Sequence, residues 1–275
     1  MCGKNFPSSP RCSYSRAILD DAKVDGLIAD NPATRVQRPR VARKEARHLD
    51  ASQVAAVLAG AEGLRYRPAL VLIAATGLRR GEALALTSCS GASKNLAKAR
   101  LRPTVESEYA GKTWLHVNLT DGSLKVAATL SRVGAELVTT EPKSPRSRRT
   151  IPLSPAVVSM LKAHRATQAA ERLHAGNQWT DSGLVFTTEF GAPVDPRNML
   201  RTVELAAAKA KIENVGVHTL RHSAAVAWLE DGVHIKAVAD LLGHSSISIT
   251  GDIYGHTSDA TTRAAIDGLS GALGL

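Results

Sequence analysis

Apolar positions in this chain recur at helical spacing in several long blocks and alternate in a few short ones. From Ser15 to Ile28, Ala17, Ile18, Ala22, Val24 and Leu27 suit one amphipathic helix, which Asn31-Pro32 stops. A second block opens at Asp50. Gln53 stands three residues on as a capping-box variant, and Val54, Val57 and Leu58 form the stripe. Pro68 begins a further helix through Leu70, Val71 and Ile73 that closes at Gly77. Ser154-Pro155 is a cap and first-turn proline for a long helix running through Val157, Val158 and Leu161 to Arg172. Another helix is predicted from Pro196 to Ala208, and Val215-Gly216-Val217 leads into one that starts at His218.

Strand patterns are fewer. Residues Trp114 to Val126 read as a hairpin, WLHVNL and SLKV around Thr120-Asp121-Gly122. Leu137–Thr140 and Thr150–Leu153 flank EPKSPRSRR as a second ribbon, and Leu184-Val185-Phe186 is a short strand. Ser88 to Thr113 is polar, basic and aperiodic, a long inserted loop. The pattern predicts a mainly α protein with a small antiparallel β-sheet, an α+β class. No internal repeat or low-complexity tract interrupts it.

Composition changes the picture in one respect, the charge. With 35 Lys and Arg against 25 Asp and Glu, the formal charge of +10 points to a polyanionic partner, nucleic acid ahead of a membrane surface. The excess gathers in Thr34 to Arg47, where Arg35, Arg38, Arg40, Arg43, Lys44 and Arg47 surround Pro39, a basic linker suited to lie along a phosphate backbone. Cys2, Cys12 and Cys89 have no paired spacing and suggest a reducing compartment. No apolar run reaches bilayer-spanning length, and the first residues lack the apolar core of a secretory signal. The expectation is a soluble, cytoplasmic, nucleoid-associated protein with no membrane partner.

Candidate chemistry concentrates between His218 and His256. His218, Arg221 and His222 fall at the start of one helix, Gly243-His244 follows, and Tyr254 stands in a Thr-x-x-x-Tyr-x-His setting. Arginine presents a fixed fork of donors to phosphate oxygens, histidine donates or shuttles a proton, and a phenol can attack phosphorus. Upstream, Arg79 follows the Gly77 break and Glu82 lies one turn on, placed to brace the guanidinium. Lys143 sits in the basic turn with Arg146, Arg148 and Arg149. The His218/His222 spacing would suit zinc. However, HTLRH lacks the glutamate of HExxH and puts Arg221 between the ligands, so no metal site is expected. No nucleotide-binding glycine fingerprint is present either.

Taken in order, TGLRRGE, TEPKSPRSRRTIPL, HTLRH, LLGH and ITGDIYGH closely resemble the tyrosine recombinase (phage integrase) family. The resemblance runs from about Asp50 to the end, apart from Ser88–Thr113, and implies the tyrosine-recombinase catalytic-domain fold. It further implies that Arg79 and Arg221 clamp a scissile phosphate and that Lys143 protonates the leaving 5′-hydroxyl. His218 would handle the proton on the nucleophile side, and His244 would donate to a phosphate oxygen. Tyr254 would form a 3′-phosphotyrosyl link, with Glu82 supporting Arg79. The implied activity is site-specific recombination or integration of double-stranded DNA, without a cofactor. Implied partners are recombination sites, a second copy engaged through a C-terminal helix, and accessory DNA-bending proteins.

Against the family pattern, residues 1–33 resemble only the last helix of a core-binding domain, so the chain looks N-terminally truncated. Residues 34–49 are the linker and 50–275 the catalytic domain, with an atypical insert at 88–113. The alternative functions are a catalytically impaired DNA-binding fragment and a relaxing enzyme of the type IB topoisomerase kind.

Overall fold

A computed structural model of the protein describes residues 11–35, 47–87, 116–142, 145–244, 246–247 and 250–251. The chain divides into two units, Met1–Glu45 and Ala46–Leu275. In the first, helix α1 (Arg11–Val24) is followed by a 3₁₀ turn at Pro32–Thr34. The helix begins earlier and ends sooner than the apolar spacing predicts. Asn31 ties the returning chain to it: the side-chain amide donates to Arg16 O (3.1 Å) and Asp20 Oδ1 (2.6 Å), while Oδ1 accepts from Ala33 N (2.8 Å). Ile18 and Val24 of the helix, and Leu27 beyond its end, are exposed.

The second unit contains α2 (Ala51–Gly60), α3 (Arg67–Thr76), α4 (Arg80–Leu84), α5 (Pro155–Ala175), α6 (Pro196–Lys209), α7 (Val217–Glu230) and α8 (Ile235–Leu242). Local chemistry sets the boundaries. Asp50 Oδ1 accepts from Gln53 N (2.8 Å) and Gln53 Oε1 accepts from Asp50 N (3.2 Å), the reciprocal cap the sequence predicts. Ser154 Oγ accepts from Val157 N (3.4 Å) ahead of Pro155. Helix α3 forms the centre of the core: Ala69, Leu70, Leu72 and Ile73 are fully buried, and the helix packs on α7 while α2 packs on α6. A satellite cluster of Ala225, Val238 and Leu242 joins α7 to α8.

Among the described residues, five short strands form two sheets: β1 (Val117–Asn118), β2 (Ser123–Val126), β3 (Thr129–Val133), β4 (Glu136–Thr140) and β5 (Arg149–Pro152). The first sheet is antiparallel in the order β1-β2-β5, with Leu124 opposite Ile151 and Val126 opposite Arg149. The β1–β2 hairpin is the one expected around Thr120-Asp121-Gly122. The second expected ribbon differs. β4 pairs with β3 across the two-residue Gly134-Ala135 turn, and β5 joins β2 instead. Leu184 makes a single bridge to Thr87 where a short strand was expected.

Thr87 and His116, which flank the 88–115 stretch, are bonded to each other. Thr87 N donates to His116 Nδ1 (3.3 Å), and His116 N donates to Thr87 O (3.3 Å). The expected insert at 88–113 itself lies outside the described residues. Among the described residues no helix is long and apolar enough to cross a membrane.

Candidate active site

Two helices aim their C-terminal ends at one corner of the second unit. Both α3 and α8 close on a left-handed glycine, Gly77 (φ 63°) and Gly243 (φ 65°). Space as well as dihedral demands glycine there. A Cβ on Gly77 would lie 2.8 Å from Leu242 Cδ2, and one on Gly243 would lie 2.8 Å from Arg149 Nη1. The carbonyls at these ends carry the negative pole of their helices and attract cations.

Arg221 occupies an inward-facing position of α7, on a helix whose Val217, Leu220, Ala224 and Ala225 are buried, and is itself 4% exposed. Burying a guanidinium there is tolerable only because acceptors surround it. Its Nη1 donates to Gly77 O, and its Nη2 donates to Leu242 O (2.8 Å) and meets His244 Nε2 at 3.2 Å. The far ring nitrogen of His244, Nδ1, lies 2.9 Å from the hydroxyl of the fully buried Thr250.

A carboxylate organises the adjacent side. Glu82, 4% exposed, receives Arg79 twice, from the backbone N–H (2.8 Å, to Oε2) and from Nη1 (2.8 Å, to Oε1). It also receives Arg149, whose Nη2 donates to Oε2 (2.8 Å) and Nη1 to Oε1 (3.2 Å). Arg149 Nε donates to Leu241 O (2.6 Å), so the same side chain ties β5 to α8. Arg79 keeps its guanidinium partly open to solvent and donates to Gly243 O (3.4 Å).

Burial would raise the Glu82 carboxyl, but the donors of Arg149 and Arg79 outweigh it and hold the group below its usual value. His244 is pushed down to about 4, first by burial and then by Arg221, Arg79 and Arg149, so its imidazole is neutral at physiological pH. His218, exposed at the start of α7, and His222, one turn further on, are also lowered. For both, partial burial is the main cause, with the neighbouring charges of Arg221, Arg79 and Arg80 next for His218, and of His218, Arg221 and His48 for His222.

Arg79, Glu82, Arg221 and His244 therefore converge, and His218 lies within the electrostatic reach of Arg221 and Arg79. Lys143 and Tyr254 lie outside the described residues, as do Arg38, Arg40, Arg43 and Lys44. Of the remaining basic candidates, Arg35 is exposed and bonded to Asp30 (3.3 Å), and Arg47 is exposed. Arg146 is also exposed, and Arg148 is exposed and bonded to Glu141 (2.6 Å). Arg149 is the correction. Expected among the DNA-contacting cations, it is buried and committed to Glu82, Ser147 O and Leu241 O. A signal for this existed. Arg149 and Ile151 are two apart on one strand and so share a face, and Ile151 is a core residue. Thr250, beside His244, was likewise not anticipated.

Three arginines, Arg79, Arg149 and Arg221, a neutral histidine and a buried carboxylate counter-ion thus share this corner, a set of donors of the kind that binds anions. The phage integrase family model matches residues 106–261, and the chain belongs to that family. A XerC-like tyrosine recombinase of Caldanaerobacter subterraneus subsp. tengcongensis is 33% identical over 177 residues, covering 60% of this chain and 45% of that protein. An integrase of Saccharopolyspora erythraea is 28% identical, covering 93% of this chain and 64% of that protein. The chain thus spans less than two thirds of the length of either relative.

Among solved structures, the Tn1549 transposon integrase in complex with a circular intermediate DNA superposes with a TM-score of 0.68 at 18% identity. That match covers 97% of this chain and 81% of that one. A lambda integrase dimer bound to a core site gives 0.56 at 18% identity, covering 90% and 74%. At these identities the likeness is one of fold, the mainly helical catalytic domain with small antiparallel sheets.

Proposed function

We propose that the chain is a tyrosine recombinase, cleaving and rejoining double-stranded DNA at specific sites through a 3′-phosphotyrosyl intermediate. The observation that carries this reading is the convergence of Arg79 and Arg221 on the glycine-capped ends of α3 and α8, with His244 held against Arg221. Support also comes from the relatives named tyrosine recombinase and integrase, and from similar folds solved with DNA.

In the proposed reaction the Tyr254 hydroxyl attacks phosphorus, the bond to the 5′-oxygen breaks, and Lys143 delivers the proton that the departing hydroxyl needs. His218 takes up the phenolic proton. The pentacoordinate state carries extra negative charge on its equatorial oxygens, where preorganised donors from Arg79, Arg221 and His244 are worth most. Rejoining reverses these steps with a 5′-hydroxyl from a partner strand, so the energy of the backbone bond is conserved in the phosphotyrosyl link. Arg35, Arg38, Arg40, Arg43, Lys44, Arg47, Arg146 and Arg148 are proposed to neutralise backbone phosphates. Each such contact adds about −0.9 to the slope of log affinity against log salt. Self-association on DNA through the C-terminal residues, with DNA-bending accessory proteins, belongs to the same proposal.

The test is a nicked duplex carrying the sites that flank the chain's own element. A covalent protein–DNA band, absent with Tyr254→Phe, is the expected result. DNA binding without a band from the unaltered chain would reject strand cleavage and leave a DNA-binding protein.

A further inference from the structure

His244 holds two hydrogen-bond contacts at once, one on each ring nitrogen. Arg221 is a donor only, so the 3.2 Å contact from its Nη2 requires a bare, accepting Nε2. A neutral imidazole carries one ring proton, and that proton must then sit on Nδ1, pointing at Thr250 Oγ1 2.9 Å away. Thr250 has no solvent exposure, so water does not compete for its hydroxyl. The tautomer follows from the chemistry of the partners.

That tautomer is the opposite of the one the proposed reaction needs, because donation to a phosphate oxygen requires a proton on Nε2. We propose that the Thr250 hydroxyl is the positioning partner of His244, holding the ring in both tautomers and letting it change from accepting Arg221 to donating to phosphate. A hydroxyl can do this because it both accepts and donates. In the free protein Nδ1–H donates to Oγ1. With a phosphate seated, Oγ1–H turns to donate to Nδ1, and Nε2–H faces the phosphate oxygen. The imidazole is neutral in both end states: water gives a proton to Nε2 and the Nδ1 proton is then released to water, through a transient imidazolium. A carboxylate at this position would instead favour the charged imidazolium, and a carbonyl would fix Nδ1–H permanently.

This inference rests on the proposed recombinase reading, and its test separates the two. The full chain is labelled with ¹⁵N-histidine, and the ring nitrogens of His244 are read by long-range proton–nitrogen spectra. The free protein is expected to show Nδ1–H, and a Tyr254→Phe chain bound to the nicked duplex to show Nε2–H. Thr250→Ser keeps both patterns, whereas Thr250→Val, which preserves volume, loses the Nδ1 proton resonance of the free state. In parallel, Thr250→Val slows covalent-band formation by about tenfold, the worth of one hydrogen bond, with DNA affinity unchanged, and Thr250→Ser restores the rate. An Nε2–H pattern in the free wild-type chain overturns the proposal, as does a Thr250→Val chain with wild-type spectra or wild-type cleavage. A wild-type chain that never cleaves defeats the recombinase reading, and the free-state spectra still decide the role of Thr250.

Discussion

Arg79 and Arg221 serve the same corner but are neutralised in different ways. Arg79 is partly open to solvent and paired with a carboxylate that it shares with Arg149. Arg221 is buried, and the partners that hold it include two backbone carbonyls and a neutral ring. A carboxylate cancels much of a guanidinium's field, whereas helix-end carbonyls hold it by dipoles and leave most of its charge for a ligand. Within the proposed function, Glu82 and Arg149 build the site, and Arg221 carries its positive potential.

The largest expected effect falls on the carboxylate side. Glu82→Gln leaves two guanidinia without their counter-ion, one of them buried, and should cost about 3–5 kcal/mol in urea-denaturation experiments. Arg149→Met should cost less, because Glu82 keeps Arg79. Equal losses would mean that Arg79 contributes nothing to the carboxylate's pairing. On the other side, Arg221→Lys keeps the charge but loses the fork. Covalent-band formation should fall about 10²–10³-fold while DNA affinity changes little. A lysine variant of near-normal rate would show that point charge alone suffices.

Acid sensitivity sharpens the contrast further. His244 is lowered from 6.5 to about 4 in the folded protein. Between those values the unfolded chain binds a proton that the folded chain does not. Its contribution is therefore complete above pH 6.5 and is lost as pH falls toward 4, on the order of 1–3 kcal/mol once solvent screening of the ring is allowed for. The Glu82 carboxyl, also held down, adds a loss at still lower pH. Urea midpoints measured from pH 7 to 4 should fall in the wild type, and His244→Gln should flatten part of that slope. The smallest effect is that of Gly243→Ala. The left-handed φ of 65° costs about 1–2 kcal/mol for an L side chain. Because the new methyl meets Arg149, double mutants with Arg149→Met should be less than additive.

What was legible in the sequence was what local rules control. The Asp50–Gln53 cap, the Ser154-Pro155 start, the Gly77 stop and the Arg79–Glu82 spacing each depend on residues a few positions apart, and the structure has all of them. The misreadings involve partners distant in sequence. Pairing β4 with β3 left β5 free to join β2, and only that register, Val126 opposite Arg149, turns the last arginine of SPRSRR inward. Its neighbours Arg146 and Arg148 carry the same charge and stay outside. Thr250 gave no signal, because a threonine several residues beyond His244 acquires meaning only once the chain has curled back on the ring.

The bond between Thr87 and His116 has a consequence for how such a chain can change. Where both ends of a segment are anchored to each other, added length costs the fold chiefly the entropy of closing the loop. For a flexible segment each doubling of length costs only about 0.6 kcal/mol. A tag or sensor entered next to this pair, a few residues downstream of Arg79 in sequence, would therefore be expected to cost little as long as Thr87 and His116 stay bonded.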